Sequence, residues 1–309
     1  MEYVTMAEGL EFSRVVLGFW RLLDWNLSTD ELIRYLEECL DLGITTMDHA
    51  DIYGDYTVEE KFGEAMKKRP DLRDKMQIIS KCGIVYKSET ARVKYYNYGT
   101  DYIIGQVEKS LKYMGLDHLD TLLLHRPSPF MDPEEISRAF EILLKEGKVR
   151  TFGVSNFLPD EFRLLKSYLT VPLITNQIEL SPLRMGNMEN GVMNLCLEER
   201  IHPMLWSPLA GGRIFTGQGE EEIRLREVLE VIREEIGAGE IDEVAFAWLF
   251  SHPAKPIPIT GSGEIGLAER PVKALKYRLT PEQWFMVWTA VKGHKDRKSV
   301  CRERVSSPV

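Results

Sequence analysis

The chain has 309 residues, 44% of them hydrophobic and 28% charged, a balance that excludes wholesale disorder and allows a substantial core. Its net charge of -9 weighs against nucleic acid as a partner, since phosphate binding needs a basic face. Apolar runs such as VVLGFW are far too short to span a bilayer, and the start MEYVTMAEGLEF lacks a basic region followed by an apolar stretch, so a cytoplasmic protein without a membrane partner is expected.

In chain order, short apolar runs expected to be strands fall at 15–20 (VVLGFW), 44–49 (ITTMDH), 76–81 (MQIISK), 119–124 (LDTLLL), 149–155 (VRTFGVS), 173–179 (LITNQIE), 202–207 (HPMLWS) and 256–260 (PIPIT). Helical patterns lie between them at about 29–42, 58–68, 100–114, 134–146, 159–168, 188–199, 221–236 and 242–251. Two more follow, at about 266–275 and 281–292. Ser28 and Glu31 read as a capping box, and Asp132-Pro133 and Thr280-Pro281 as N-caps followed by proline at the first helical position. Residues 83–99 form a long tyrosine-bearing loop (Tyr86, Tyr95, Tyr96, Tyr98) expected to wall a substrate pocket. The charged helix at 221–236 reads as a solvated cover, and residues 295–309 as a polar, disordered tail outside a single domain of residues 1–294.

Eight strand-then-helix units predict a parallel sheet covered by helices, and the count favours an α/β fold of the (β/α)8 TIM-barrel type with its active site at the C-terminal strand ends. No G-x-G-x-x-G turn follows the first strand, which argues against a Rossmann domain. The cysteines Cys39, Cys82, Cys196 and Cys301 form no C-x-x-C pair, so neither a disulfide framework nor a zinc site is expected, and Cys82 reads as a core residue.

Four residues lie at or just past the ends of strand-like runs: Asp48, Tyr53, Lys81 and His125. A phenol has an ordinary pKa of about 10, and an ammonium beside it favours the phenolate. With a carboxylate to hold the lysine and a histidine as a second donor, Tyr53 is placed to protonate a carbonyl oxygen as hydride reaches the carbon. A metal-dependent hydrolase is a competing class, drawing on Asp48, His49, Asp51 and His125. His118, His202, His252 and His294, however, lie mostly on strand starts, helices and loops rather than at the strand ends.

On these residues the sequence resembles the aldo-keto reductase superfamily, in the manner of bacterial NADP-dependent oxidoreductases. DHADIYG matches the family's Asp-x-Ala-x-x-Tyr stretch, SKCG places Lys81, LLLHRP places His125, and EGKVRTFGVSNF (146–157) is a signature strand. The resemblance runs over about 4–292 and implies hydride transfer from NADPH to an aldehyde or ketone, with Asp48, Tyr53, Lys81 and His125 as the catalytic tetrad. It further implies that Ser155, Asn156 and Gln177 hold the nicotinamide carboxamide, that Trp206 lies against the nicotinamide, and that Gly18, Phe19 and Trp20 line the cofactor–substrate junction. Ser207, Leu209 and Gly211 would close over the pyrophosphate. A slow-turnover, cofactor-sensing regulatory subunit is the alternative such a family allows.

One stretch departs from the family pattern. PITGSGEIGLAERP keeps Ser262, but Gly261 stands where a lysine and Leu267 where an arginine would grip the 2′-phosphate of NADPH, and Glu264 adds negative charge. Arg270 or Lys273 is expected to reach the phosphate instead, so NADPH is preferred to NADH. The protein is expected to be a monomer or small homo-oligomer acting on a small carbonyl compound.

Overall fold

In the computed structural model, which describes residues 1–293, the alternation of short strands and helices closes into a barrel. A hairpin comes first: β1 (Tyr3–Ala7) pairs antiparallel with β2 (Leu10–Ser13). Then follow β3 (Val16–Gly18), α1 (Thr29–Asp41), β4 (Thr46–Asp48), α2 (Val58–Lys68), β5 (Gln77–Cys82), the small hairpin β6 (Ile84–Val85) and β7 (Tyr95–Tyr96), α3 (Thr100–Met114), β8 (Leu119–Leu124) and α4 (Pro133–Lys145). The second half runs β9 (Val149–Ser155), α5 (Pro159–Lys166), β10 (Leu173–Glu179), α6 (Gly186–Glu189), α7 (Val192–Glu199), β11 (Met204–Trp206), α8 (Arg213–Thr216), α9 (Glu220–Ile236), α10 (Ile241–Phe250), β12 (Ile257–Thr260), α11 (Ile265–Ala274) and α12 (Pro281–Lys292). The order β3-β4-β5-β8-β9-β10-β11-β12 closes by parallel pairing of β12 with β3, Ile259 opposite Val16. This is the expected eight-stranded (β/α) barrel.

Helix starts follow local chemistry. Ser28 and Glu31 form the capping box of α1, Asp132 accepts from Glu134 N–H at 2.9 Å ahead of Pro133, and Thr280 caps α12 with Gln283. In α1 the fully buried Leu32, Leu36 and Cys39 share the face turned to the barrel. Each buried leucine of this kind contributes about 1.5–3 kcal/mol relative to exposure.

The N-terminal hairpin closes the bottom of the barrel, where Phe12 packs with Val16, Ile174, Met204 and Ile257. Ser13 Oγ accepts from Thr45 and Thr46 N–H at 3.1 Å, tying the hairpin to the start of β4. With the bottom filled, an open cavity is left to the other end. The sequence reading finds no strands at 3–13, and it runs one helix over 188–199 where Gly191, at φ 91°, separates α6 from α7. Helix α9 covers the barrel with Leu225, Leu229 and Ile232 fully buried on its inner face. Among the described residues no helix is long and apolar enough to cross a membrane. The expected tail at 295–309 lies outside the described residues.

Candidate active site

At the C-terminal end of the barrel the structure brings Asp48, Tyr53, Lys81 and His125 together. Asp48 ends β4, Lys81 lies near the end of β5, Tyr53 sits in the turn after β4, and His125 follows β8 with its N–H on Cys82 O at 2.9 Å. Lys81 is fully buried, and its ammonium has three donors. They go to Asp48 Oδ2 at 2.8 Å, His49 O at 2.7 Å and Tyr53 Oη at 3.0 Å. The rings of Tyr53 and His125 meet edge to face, their centroids 6.0 Å apart.

Burial opposes the Lys81 ammonium, but the charges and hydrogen bonds of Asp48 and Tyr53 outweigh it and hold its pKa above the ordinary value. For Tyr53 burial is the largest influence and pushes the phenol above its ordinary range, with Lys81 pulling it down and Asp48 pushing it up. The sequence reading expects the lysine to dominate, and here it does not. The phenol is therefore protonated at neutral pH. His125 is held well below the ordinary imidazole range by burial, with Lys81, Arg126 and Lys94 adding to the effect, so its ring is neutral. Its Nδ1 is buried without a partner, which favours the tautomer carrying its proton on Nε2.

A cavity of about 1000 Å³ opens beside this cluster. Tyr53, Asp48 and His125 line it, as do Gly18, Trp20, Ser155, Asn156, Gln177, Trp206, Ser207, Leu209, Gly211, Gly261 and Ser262. Phe19 does not. Its side chain is wholly buried, stacked on His49 at 4.2 Å and set edge-on to Phe62, because successive residues at a strand end point to opposite sides. The same packing seals His49 in an aromatic core, away from the cavity.

The polar wall is preorganised. Gln177 Nε2 donates to Asp48 Oδ1 at 2.7 Å, Ser155 Oγ donates to Gln177 O at 2.9 Å, Asn156 Nδ2 donates to Ser155 Oγ at 2.8 Å, and Trp206 Nε1 donates to Asn156 Oδ1 at 3.0 Å. Asn156 adopts φ 63° and Ser207 φ 51°, left-handed conformations that turn the chain out of β9 and β11 at the cavity edge. Gly18 has no room for a side chain, since a Cβ there would lie 2.5 Å from Ile259 Cγ2. This open floor, fixed amide wall and aromatic ring suit a flat heterocycle bearing a carboxamide.

At the other end of the cavity Arg270 is present, but it donates to Asp242 Oδ2 at 3.0 Å. Lys273 pairs with Glu269 at 2.6 Å and is absent from the lining. Of the two cations expected at the 2′-phosphate, only Arg270 is within the cavity. Three further cations line it that sequence reasoning did not single out: Arg21, Lys94 and Arg126. Their signal was adjacency, Arg126 following His125 and Arg21 following Trp20. In the 83–99 loop Tyr86 lines the cavity, whereas Tyr98 is buried and Tyr95 exposed.

A barrel with this site belongs to a class of oxidoreductases, and comparison with known proteins gives the family. Residues 14–291 match the model of the aldo/keto reductase family. The chain is 49% identical to the uncharacterized oxidoreductase YcsN of Bacillus subtilis over 95% of this chain and 99% of that one. It is 41% identical to a 6-dehydroglucose reductase of Agrobacterium fabrum, again over 95% and 99%. Its backbone superposes on the crystal structure of the thermostable aldo-keto reductase Tm1743 with inhibitor epalrestat at a TM-score of 0.78, covering 94% of this chain and all of that one, at 24% identity. The chain belongs to the aldo/keto reductase family and is an NAD(P)H-dependent reductase of carbonyl compounds.

Proposed function

We propose that the protein reduces an aldehyde or ketone with NADPH as preferred reductant, and that Tyr53 supplies the proton. The observation that carries this reading is the buried Lys81 ammonium, which spends all three donors on Asp48, the His49 carbonyl and the Tyr53 oxygen. When bound, the nicotinamide cofactor supplies the hydride that converts the carbonyl carbon to an alcohol carbon. Tyr53, protonated at neutral pH, gives its proton to the carbonyl oxygen, and the charge left on the phenolate faces Lys81 at 3.0 Å. Neutral His125 donates from Nε2 to the same oxygen, orienting the carbonyl and stabilising the negative charge that develops there.

Ser155, Asn156 and Gln177 would hold the carboxamide; Gln177 has its N–H on Asp48, which leaves Oε1 to accept. Trp206 would give the nicotinamide a ring face, Gly18 and Trp20 would flank it, and Ser207, Leu209 and Gly211 would cover the pyrophosphate. Gly261, Ser262 and Arg270 would receive the adenosine end. Titration of NADPH fluorescence with purified protein, followed by a screen of aldehydes and ketones, tests this reading. Saturable fluorescence change and carbonyl-dependent NADPH oxidation are expected. Absence of oxidation across a broad panel would contradict it.

A further inference from the structure

Arg21, Lys94 and Arg126 line the cavity, and among the described residues none of the three has a carboxylate partner. Each instead lies over an aromatic ring: Arg21 over Trp20 at 5.3 Å, Lys94 over Tyr86 at 5.8 Å and Arg126 over Trp206 at 5.7 Å. Elsewhere, surface cations such as Lys68 and Lys148 sit in ion pairs, with Asp30 and Glu108. Unpaired positive charge inside a cavity is a feature to be explained by what the cavity holds.

Arg126 is placed with care. The buried Tyr98 brackets its backbone, donating to Arg126 O and accepting from Arg126 N–H at 3.1 Å. Tyr98 reaches that position only because Gly83, at φ +115°, has no side chain; a Cβ there would lie 2.0 Å from the Tyr98 ring. The Trp206 ring beneath the guanidinium is itself fixed through Asn156. Arg126 follows His125 directly, Lys94 lies over Tyr86, and both line the same cavity as Tyr53 and His125.

Two of the lining carboxylates are already engaged. Asp48 is committed to Lys81 and Gln177, and Asp242 to Arg270. Trp25 Nε1 donates to Gly261 O at 3.4 Å, which sets the turn carrying Asp24 beside the segment of Glu264. Lys94 and Arg126 thus lie in the lining with His125 and Tyr86, whereas Asp24 and Glu264 lie with Trp25 and Gly261.

We propose that Arg126 and Lys94 bind an anionic group, a carboxylate or a phosphate, carried by the substrate beside its carbonyl, so that anionic aldehydes are the preferred class. This deepens the reductase reading above and rests on it. A guanidinium fork matches either group, and among the described residues neither cation has a carboxylate to give up on binding.

The test compares kcat/KM within two pairs: succinic semialdehyde against its methyl ester, and D-glyceraldehyde 3-phosphate against D-glyceraldehyde. Preference for the anionic member by about tenfold or more in one pair is expected, equivalent to about 1.4 kcal/mol, and the pair concerned identifies the anion. The ratio should fall toward one in Arg126→Gln and Lys94→Gln, drop below one in Arg126→Glu, and shrink with added NaCl. Equal or reversed ratios in both pairs, or ratios indifferent to these substitutions, would overturn the proposal while leaving the reductase reading standing. If none of the four aldehydes is reduced, the broad panel of aldehydes and ketones decides the reductase reading. Quenching of intrinsic tryptophan fluorescence by the same pairs then decides the anion site alone: tighter binding of an anionic member supports it, and equal Kd values refute it.

Discussion

Gln177 donates a 2.7 Å hydrogen bond to Oδ1 of Asp48, joining β10 to β4 through side chains 129 residues apart. Lys81 takes the other carboxylate oxygen, so Asp48 is gripped on both sides and the ammonium beside Tyr53 is fixed in direction. Replacing Gln177 by Leu leaves a buried carboxylate oxygen without its donor. An unfolding free energy lower by about 1–3 kcal/mol is expected in urea titration, together with a reduced kcat. Unchanged stability and kcat would mean that the bond is incidental.

Arg270 lines the cavity in the region proposed to receive the adenosine end of the cofactor, and Asp242 shares it. Wild-type protein is expected to prefer NADPH to NADH in kcat/KM, and Arg270→Ala to lose most of that preference. Asp242→Asn should strengthen it, by releasing the guanidinium from a competing carboxylate. Equal or reversed wild-type values for the two cofactors contradict the assignment.

His49 links the site to acid stability. It is wholly buried against Phe19 and Phe62, both ring nitrogens lack partners among the described residues, and burial, aided by Lys81, pushes its pKa down to about 3. An unfolded histidine titrates near 6.5. Between pH 6.5 and about 3 the unfolded chain therefore binds a proton that the folded chain refuses. Stability from this group is complete above pH 6.5 and falls by about 1.4 kcal/mol for each pH unit below it. Denaturant unfolding from pH 7 to pH 4 should show a shallower decline in His49→Leu than in wild type. Parallel curves would refute the origin given.

Gly83 carries the loop that seats Tyr98 and, through it, Arg126. Gly83→Ala forces a side chain into a left-handed backbone and into the Tyr98 ring, and a loss of about 1–3 kcal/mol is expected. The accompanying change should be a poorer kcat/KM for the best substrate with little change in cofactor Kd. A variant as stable and as active as wild type would show that the loop yields without consequence.

Much of this was legible in the chain because barrel strands announce themselves locally. Runs such as LDTLLL and MQIISK are rich in leucine and isoleucine, as strands buried on both faces tend to be, and the residue that ends or follows each run falls at the same end of the barrel. The hairpin at 3–13 was not legible, since YVTMA and LEFS mix exposed and buried positions over too few residues to make a pattern. Phe19 was assigned to the cavity by adjacency to Gly18 and Trp20, and strand alternation turned it the other way. Contacts such as Gln177 to Asp48, or Tyr98 to Arg126, depend on how distant elements meet around the barrel, which no local pattern encodes. The effect of burial on Tyr53 was missed for the same reason: neighbours can be guessed from spacing, but exclusion of water follows only from the closed fold.

The Tyr53 oxygen is the centre of the proposed proton transfer. Tyr53→Phe keeps the ring and removes the proton donor that Lys81 contacts at 3.0 Å. Measured with the best carbonyl substrate and saturating NADPH, kcat should fall by about 10²–10⁴-fold or more, while the Kd for NADPH from fluorescence titration stays close to wild type. A variant that retains wild-type kcat would contradict Tyr53 as the acid.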